Sequence, residues 1–324
     1  VSNTVQYSKG RIVDKQDAMS LTTLGDWLQW AEECLRSQEV VYGHGTDNPW
    51  DEAVAIARYV LRLPIDIDPK IKQARLTEAE KEKLIRLLDE RINERVPVPY
   101  LTHEAWFAHL SFFVDKRVLI PRSPLAELIE QRFVPWVTAN QVQNICDIGT
   151  GSGCIAIACA KAFPGAKVDA VDLSTSALEV AKLNCREHDV DERVQLFQGD
   201  LFEPLKGRRY DLIISNPPYV DKAEMQMLPM EYTHEPALAL AAGEDGLDIV
   251  IRLLAKAADY MTDEGIFIVE LGHTEAALQA AFPQVDFLWL EFERGGTGVC
   301  LLKASQLQRF QADFNEALQA RGTL

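Results

Sequence analysis

At 324 residues, 47% hydrophobic and 25% charged, the chain is too long for one typical domain and rich enough in apolar residues to bury a substantial core. Its 49 acidic against 33 basic residues, a formal charge of −16, argue against a nucleic-acid backbone as the main partner, since phosphate contacts need clustered Lys and Arg. They favour a cationic partner, and no apolar run is long enough to span a bilayer.

In chain order, residues 1–15 are polar and lack the apolar stretch of a secretory signal, so a cytoplasmic protein is expected. The cysteines Cys34, Cys146, Cys154, Cys159, Cys185 and Cys300 form no CxxC pair. They read as reduced thiols, and no metal site is expected. From residue 21 to about 95 the pattern is helical. Trp27, Leu28, Ala31, Cys34 and Leu35 recur at helical spacing. Asn48-Pro49 starts a second helix, and Thr77-Glu78-Ala79-Glu80 is a capping box before Leu84, Ile85, Leu87 and Leu88. A helical domain over residues 1–96 is expected, with substrate recognition as its role.

Pro97 and Pro99 interrupt that pattern. Residues 100–121, rich in Phe, Val and Ile around Asp115-Lys116, predict a β-hairpin within a linker over 97–121. Ser123-Pro124 starts a helix running towards Phe133. Strands are then predicted at 142–148, 167–173, 193–197, 210–215 and 265–271, with helices at 154–163, 175–187 and 247–260. That alternation implies an α/β domain over 122–324, a parallel sheet with helices on both faces and ligands at the strands' carboxyl ends.

The first such strand runs into Asp147-Ile148-Gly149-Thr150-Gly151-Ser152-Gly153. Glycines at alternate positions let the backbone turn sharply and approach a ligand closely. They lead into a helix N-terminus that favours a carboxylate or phosphate. A dinucleotide fingerprint wants its third glycine at position 154, which is Cys154. Asp172 ends the second strand, where a carboxylate accepts both ribose hydroxyls of a nucleoside. Ser174 serves equally well as the helix cap there. Asp200, after the third strand, is placed to accept from an adenine amino group. A nucleoside with a carboxylate tail, such as S-adenosylmethionine, suits these strand ends.

The fourth strand ends in Ser215-Asn216-Pro217-Pro218-Tyr219. An amide nitrogen is a poor nucleophile because its lone pair is delocalised. Its two N–H donors need acceptors when buried. Asn216 offers a side-chain oxygen and Pro217 a backbone carbonyl, held rigid by prolines that restrict the chain. Tyr219 offers a ring face to a planar amide. This chemistry uses no catalytic His or Cys, so His234 reads as structural or substrate-facing.

Residues 147–153 together with 216–219 resemble class I methyltransferases acting on planar nitrogens, and most closely the HemK-like protein-glutamine methyltransferases. Leu119-Ile120-Pro121-Arg122, Glu235-Pro236-Ala237-Leu238 and Gly243-Glu244-Asp245-Gly246-Leu247 resemble further segments of that family. The similarity covers roughly residues 97–303. Tyr42 to Glu52 and Pro121-Arg122-Ser123-Pro124 resemble its PrmB-type branch, which modifies the third protein of the large ribosomal subunit. The branch acting on release factors carries Pro-Arg-Pro-(Asp/Glu)-Thr-Glu, and here the acid, Glu127, arrives one position later.

The resemblance implies a Rossmann-like, seven-stranded methyltransferase domain, with residues 286–291 and 297–302 as the last antiparallel pair. It implies that Asp147, Gly149, Thr150, Gly151, Gly153, Asp172, Asp200, Leu201 and Asn216 hold S-adenosyl-L-methionine. Asn216, Pro217, Pro218 and Tyr219 would hold the acceptor glutamine, with Phe107 nearby. His44 is a candidate partner contact or a turn residue. The partner implied is a basic ribosomal protein. Glutamine methylation of release factors and methylation of an exocyclic amine of RNA or DNA are the competing readings.

Overall fold

The computed structural model describes residues 15–66 and 68–322, so the reading of the polar start lies, but for Lys15, outside the described residues. They fall into two compact units divided after Thr102. The first holds α1 (Lys15–Ser20), α2 (Leu24–Ser37), α3 (Pro49–Leu61), α4 (Glu78–Asn93) and α5 (Val98–Thr102). Local chemistry sets the helix starts. Thr23 with Asp26, and Thr77 with Glu80, form reciprocal capping boxes, and Asn48 caps α3 with Pro49 behind it. Trp27, Leu28, Ala31 and Leu35 bury one face of α2 against α3, while Cys34 stays half-buried.

An ion pair closes this core. Arg91 of α4 donates Nε and Nη2 to Glu52 of α3 at 2.7 and 3.0 Å, and Nη2 also reaches the Val41 carbonyl at 2.8 Å. His44, between the left-handed Gly43 and Gly45, is only 2% exposed. Burial removes it as a partner contact.

The second unit opens with a hairpin of β1 (Glu104–Phe107) and β2 (Leu110–Phe113). Its turn is Ala108-His109, both at positive φ (47° and 62°), as tight two-residue turns require. The chain also turns at Asp115-Lys116, Val118 donating its N–H to the Asp115 carbonyl at 3.1 Å, but β2 has already ended at Phe113, so this turn joins no strands. Residues 98–102 are helical instead of hairpin. Asn184 brackets the backbone of Phe113 in β2, accepting its N–H at 2.8 Å and donating to its carbonyl at 3.0 Å. Next comes α6 (Leu125–Glu130), which stops short of Phe133 because Arg132 and Phe133 turn left-handed.

A seven-stranded sheet follows: β3 (Asn144–Ile148), β4 (Lys167–Asp172), β5 (Val194–Gln198), β6 (Tyr210–Ser215), β7 (Met261–Glu270), β8 (Leu288–Trp289) and β9 (Val299–Lys303). The order is β5-β4-β3-β6-β7-β9-β8, parallel from β5 to β7, with β9 antiparallel to both its neighbours. Between the strands lie α7 (Cys154–Ala162), α8 (Thr175–Glu187), α9 (Lys222–Met225), α10 (Asp248–Ala257) and α11 (Glu275–Ala281).

Alternation along the strands divides the apolar side chains between two cores. Cys146, Ile148, Ile213, Phe267, Val269 and Leu302 belong to one, with α10; Ile145, Leu212, Ile214, Ile268 and Leu301 belong to the other, with α7. A closing helix that the alternation does not announce, α12 (Ala304–Ala320), buries Leu307 and Phe314 in the first core. This is the class I methyltransferase architecture. All six cysteines are free thiols. Among the described residues no helix is long and apolar enough to cross a membrane. The strand order reverses at β3, so the chain opens a crevice at the carboxyl ends of β3 and β6.

Candidate active site

That crevice is a cavity. Gly149, Gly151, Asp172, Asp200, Leu201, Asn216 and Pro218 line it together, although they come from four strand ends. Ser215 ties two of those ends, its hydroxyl donating to the Ile148 carbonyl at 2.7 Å. The glycine loop is thereby held beside Asn216. Gly149 and Gly151 both take left-handed φ, and a Cβ added at Gly151 would meet nothing within 4 Å. The missing side chains leave open cradle space at the cavity wall, as a closely bound ligand requires.

Asp172 meets that space. Its Oδ2 accepts the Gly151 N–H and its Oδ1 the Ser174 N–H, each at 2.8 Å. Each carboxylate oxygen keeps a further lone pair for a hydroxyl donor. Burial raises its pKa, opposed by those N–H bonds. Ser174, not Asp172, caps α8, accepting from Ala177. Asp200 pairs through Oδ2 with Arg252 of α10, which also lines the cavity. Two carboxylates and an open glycine turn fit the diol, amine and tail of S-adenosylmethionine.

Several expected contacts are not in the lining. Asp147 is fully buried, with Oδ2 accepting the Thr150 hydroxyl at 2.6 Å and the Ala156 N–H at 3.1 Å. Asp147 and Thr150 thus hold the loop's shape from beneath. Gly153 admits α8, since a Cβ there would lie 3.1 Å from Ala181. Pro217 is buried. Phe107 is 4% exposed in the core with Phe112 and Leu125, because the alternation of β1 turns it inward. The Tyr219 ring packs on Gly272, where a Cβ would come within 2.7 Å, and meets His273 edge-on. It therefore fills the room left by a glycine instead of facing the cavity.

Burial raises the Asp147 pKa to about 7, with Thr150 and Ala156 opposing. A raised folded-state value makes the native state take up a proton first, so this group's contribution to stability is present below its unfolded pKa and lost as pH rises through 7. Asp147→Asn keeps the acceptor and removes the charge. Thermal melts of this variant should show a smaller loss of stability from pH 5 to pH 8 than the parent. A steeper loss would contradict the assignment.

Sequence reasoning missed Arg252, Ile249 and Arg117 in the lining, since nothing nearby in the chain marks them. It also missed how Leu119 and Leu238 come to share one cavity wall. Glu235, 5% exposed, accepts the Ile120 N–H at 2.9 Å and both Arg122 Nη groups at 2.6 Å. The carboxylate thus joins the segment before α6 to the one after α9. Glu127 accepts the backbone N–H groups of Glu293 and Arg294, which marks it as a loop anchor.

A family model described as the methyltransferase small domain matches residues 130–243. The chain is 45% identical over 296 residues to the ribosomal protein uL3 glutamine methyltransferase of Bordetella pertussis, covering 91% of this chain and 99% of that one. It is 42% identical over 307 residues to the protein of the same name from Francisella tularensis, covering 94% and 98%. A solved methyltransferase from Pyrococcus furiosus covers 60% of this chain and 88% of its own at 18% identity and a TM-score of 0.44, and no residue role is carried over from it.

Proposed function

We propose, from the premise that this chain belongs to the uL3 glutamine methyltransferase family, that it methylates the side-chain amide nitrogen of a glutamine in ribosomal protein uL3. One observation carries the reading: Asn216, Gly151, Asp172 and Asp200 line a single cavity at the reversal point of the sheet. S-adenosylmethionine, when bound, supplies an electrophilic methyl group. Asp172 would accept from its ribose hydroxyls, Asp200 from its adenine amine, and the glycine turn would admit its tail.

The acceptor amide is weakly nucleophilic, so this site's task is to hold it and stabilise charge. The Asn216 side-chain oxygen and the Pro217 carbonyl accept its two N–H donors, which aligns the nitrogen and favours the positive charge that develops on it. No base acts before transfer; the positively charged nitrogen gives up its extra proton to water afterwards.

The stretch from Asp221 to Pro236 faces the incoming protein. It begins where Val220 is pinned to Leu240 and Ala242 by backbone bonds, and it exposes Met227 and Met230 at 77% and 62%. Exposed, adaptable apolar side chains on an acidic protein suit a basic partner. The helical unit is assigned to recognition of that partner, and crosslinking of the complex would locate the contact.

The decisive experiment incubates the protein with labelled S-adenosylmethionine and unmethylated uL3, release factors and ribosomal RNA in parallel. Mass spectrometry should find one methyl group on a uL3 glutamine. Label on RNA or a release factor, with none on uL3, would refute the reading. Asp172→Ala should weaken donor binding about 10- to 100-fold, as lost hydrogen bonds to a charged group do. Calorimetry reads this directly, and turnover at saturating donor should change less.

A further inference from the structure

Glu270 ends β7 with its carboxylate buried, 4% exposed, and no role described so far uses it. Ser215 of β6 pairs in register with Val269 of β7, so Asn216 and Glu270 leave adjacent strands side by side. The carboxylate gathers two partners there. Its Oε2 accepts the Ser123 hydroxyl, and Tyr219 points its hydroxyl at Oε1 from 3.5 Å. The Asn216 carboxamide starts from the neighbouring strand end, directly beside it. The loop is pressed close by glycines: a Cβ at Gly246 would come within 2.4 Å of the Tyr219 carbonyl.

The two ends of a carboxamide are nearly the same size, so packing alone does not choose between them. An ionised carboxylate can only accept, so it takes the NH₂ end of Asn216 and leaves the oxygen as the other end. The reversed amide would set one NH₂ group against another. Resting on the reading of Asn216 as the grip on the acceptor, we propose that Glu270 is a positioning residue for methyl transfer, its carboxylate fixing the Asn216 carboxamide with the oxygen turned to the acceptor nitrogen. Burial raises the Glu270 pKa to about 7, with Ser123, Arg122, Tyr219 and Asn216 favouring the charged form.

Glu270→Gln keeps the volume and replaces an acceptor by an NH₂ group. Turnover on uL3, the KM for uL3 and donor affinity are measured at pH 8 for Glu270→Gln, Asn216→Ala and the double variant. Glu270→Gln should lower kcat about 10-fold or more, with KM and donor affinity within about 2-fold. The double variant should be within about 2-fold of Asn216→Ala, because a residue acting through another adds nothing once that one is gone. Turnover of Glu270→Gln near the parent value overturns the proposal. So do multiplied losses in the double variant, or a Glu270→Gln chain that loses donor binding or its thermal transition, either of which assigns Glu270 to the fold. If Asn216→Ala is itself fully active, the grip falls and Glu270's role with it. If Asn216→Ala is slow and Glu270→Gln is not, only the positioning role falls.

Discussion

Asn216→Ala is expected to lower turnover about 10²- to 10³-fold, the loss typical of one preorganised hydrogen-bond partner at a reacting centre. The glycine turn and Asp172 stay in place in that variant, each anchored by its own bonds. S-adenosylmethionine affinity, measured by calorimetry, should therefore stay within about 2-fold, below what losing a charged hydrogen bond costs. The loss should appear in kcat with saturating uL3, because the interaction strengthens as charge grows on the acceptor nitrogen. A large drop in donor affinity with kcat preserved would move Asn216 from the acceptor to the donor and remove the basis for the proposed chemistry.

Arg91→Met should destabilise the helical unit by about 3–5 kcal/mol, the cost of leaving a buried charge without its partner. Arg91 and Glu52 are 1% and 2% exposed, and the bond between them is two-pronged. Even with Arg91 present, burial already raises the Glu52 pKa. Without it, that value rises further, so the native state protonates earlier than the unfolded chain. The deficit should therefore be full near pH 8 and shrink as pH falls towards the unfolded carboxylate range. Urea unfolding at the two pH values tests both amount and sign. Adding Glu52→Leu to Arg91→Met should recover much of the loss, since two apolar side chains leave no charge to desolvate. Equal stability of Arg91→Met and the parent would show that the pair contributes nothing to the fold.

Much of the site was legible because its signals are local. Gly149 and Gly151 announce a turn, Asp172 and Asp200 stand at strand ends, and Asn216-Pro217 restricts its own backbone. The structure brings all of these but Pro217 into one lining. Asp147, Thr150 and Gly153 belong to the same motif but serve the loop from inside the protein. A motif records that a residue type is needed at a position, not on which side of the backbone its work is done. Tyr219 and Phe107 carry the same lesson: an aromatic beside a site still packs wherever a glycine or a core leaves room.

The sequence by itself determined the strand–helix alternation, the helix starts at Thr23, Asn48 and Thr77, and the glycine turn. Each follows from side chains acting on backbone within a few residues, or from a periodicity that puts apolar groups on one face. Only the tertiary structure decided that the hairpin turns at Ala108-His109, that Arg252 meets Asp200, and that Arg122 meets Glu235 more than a hundred residues away. It also decided that Ser123 and Tyr219 converge on Glu270 beside Asn216. Charged and polar side chains reach several ångströms and take whichever partner strand register brings near, and register is set by burial summed over the whole sheet.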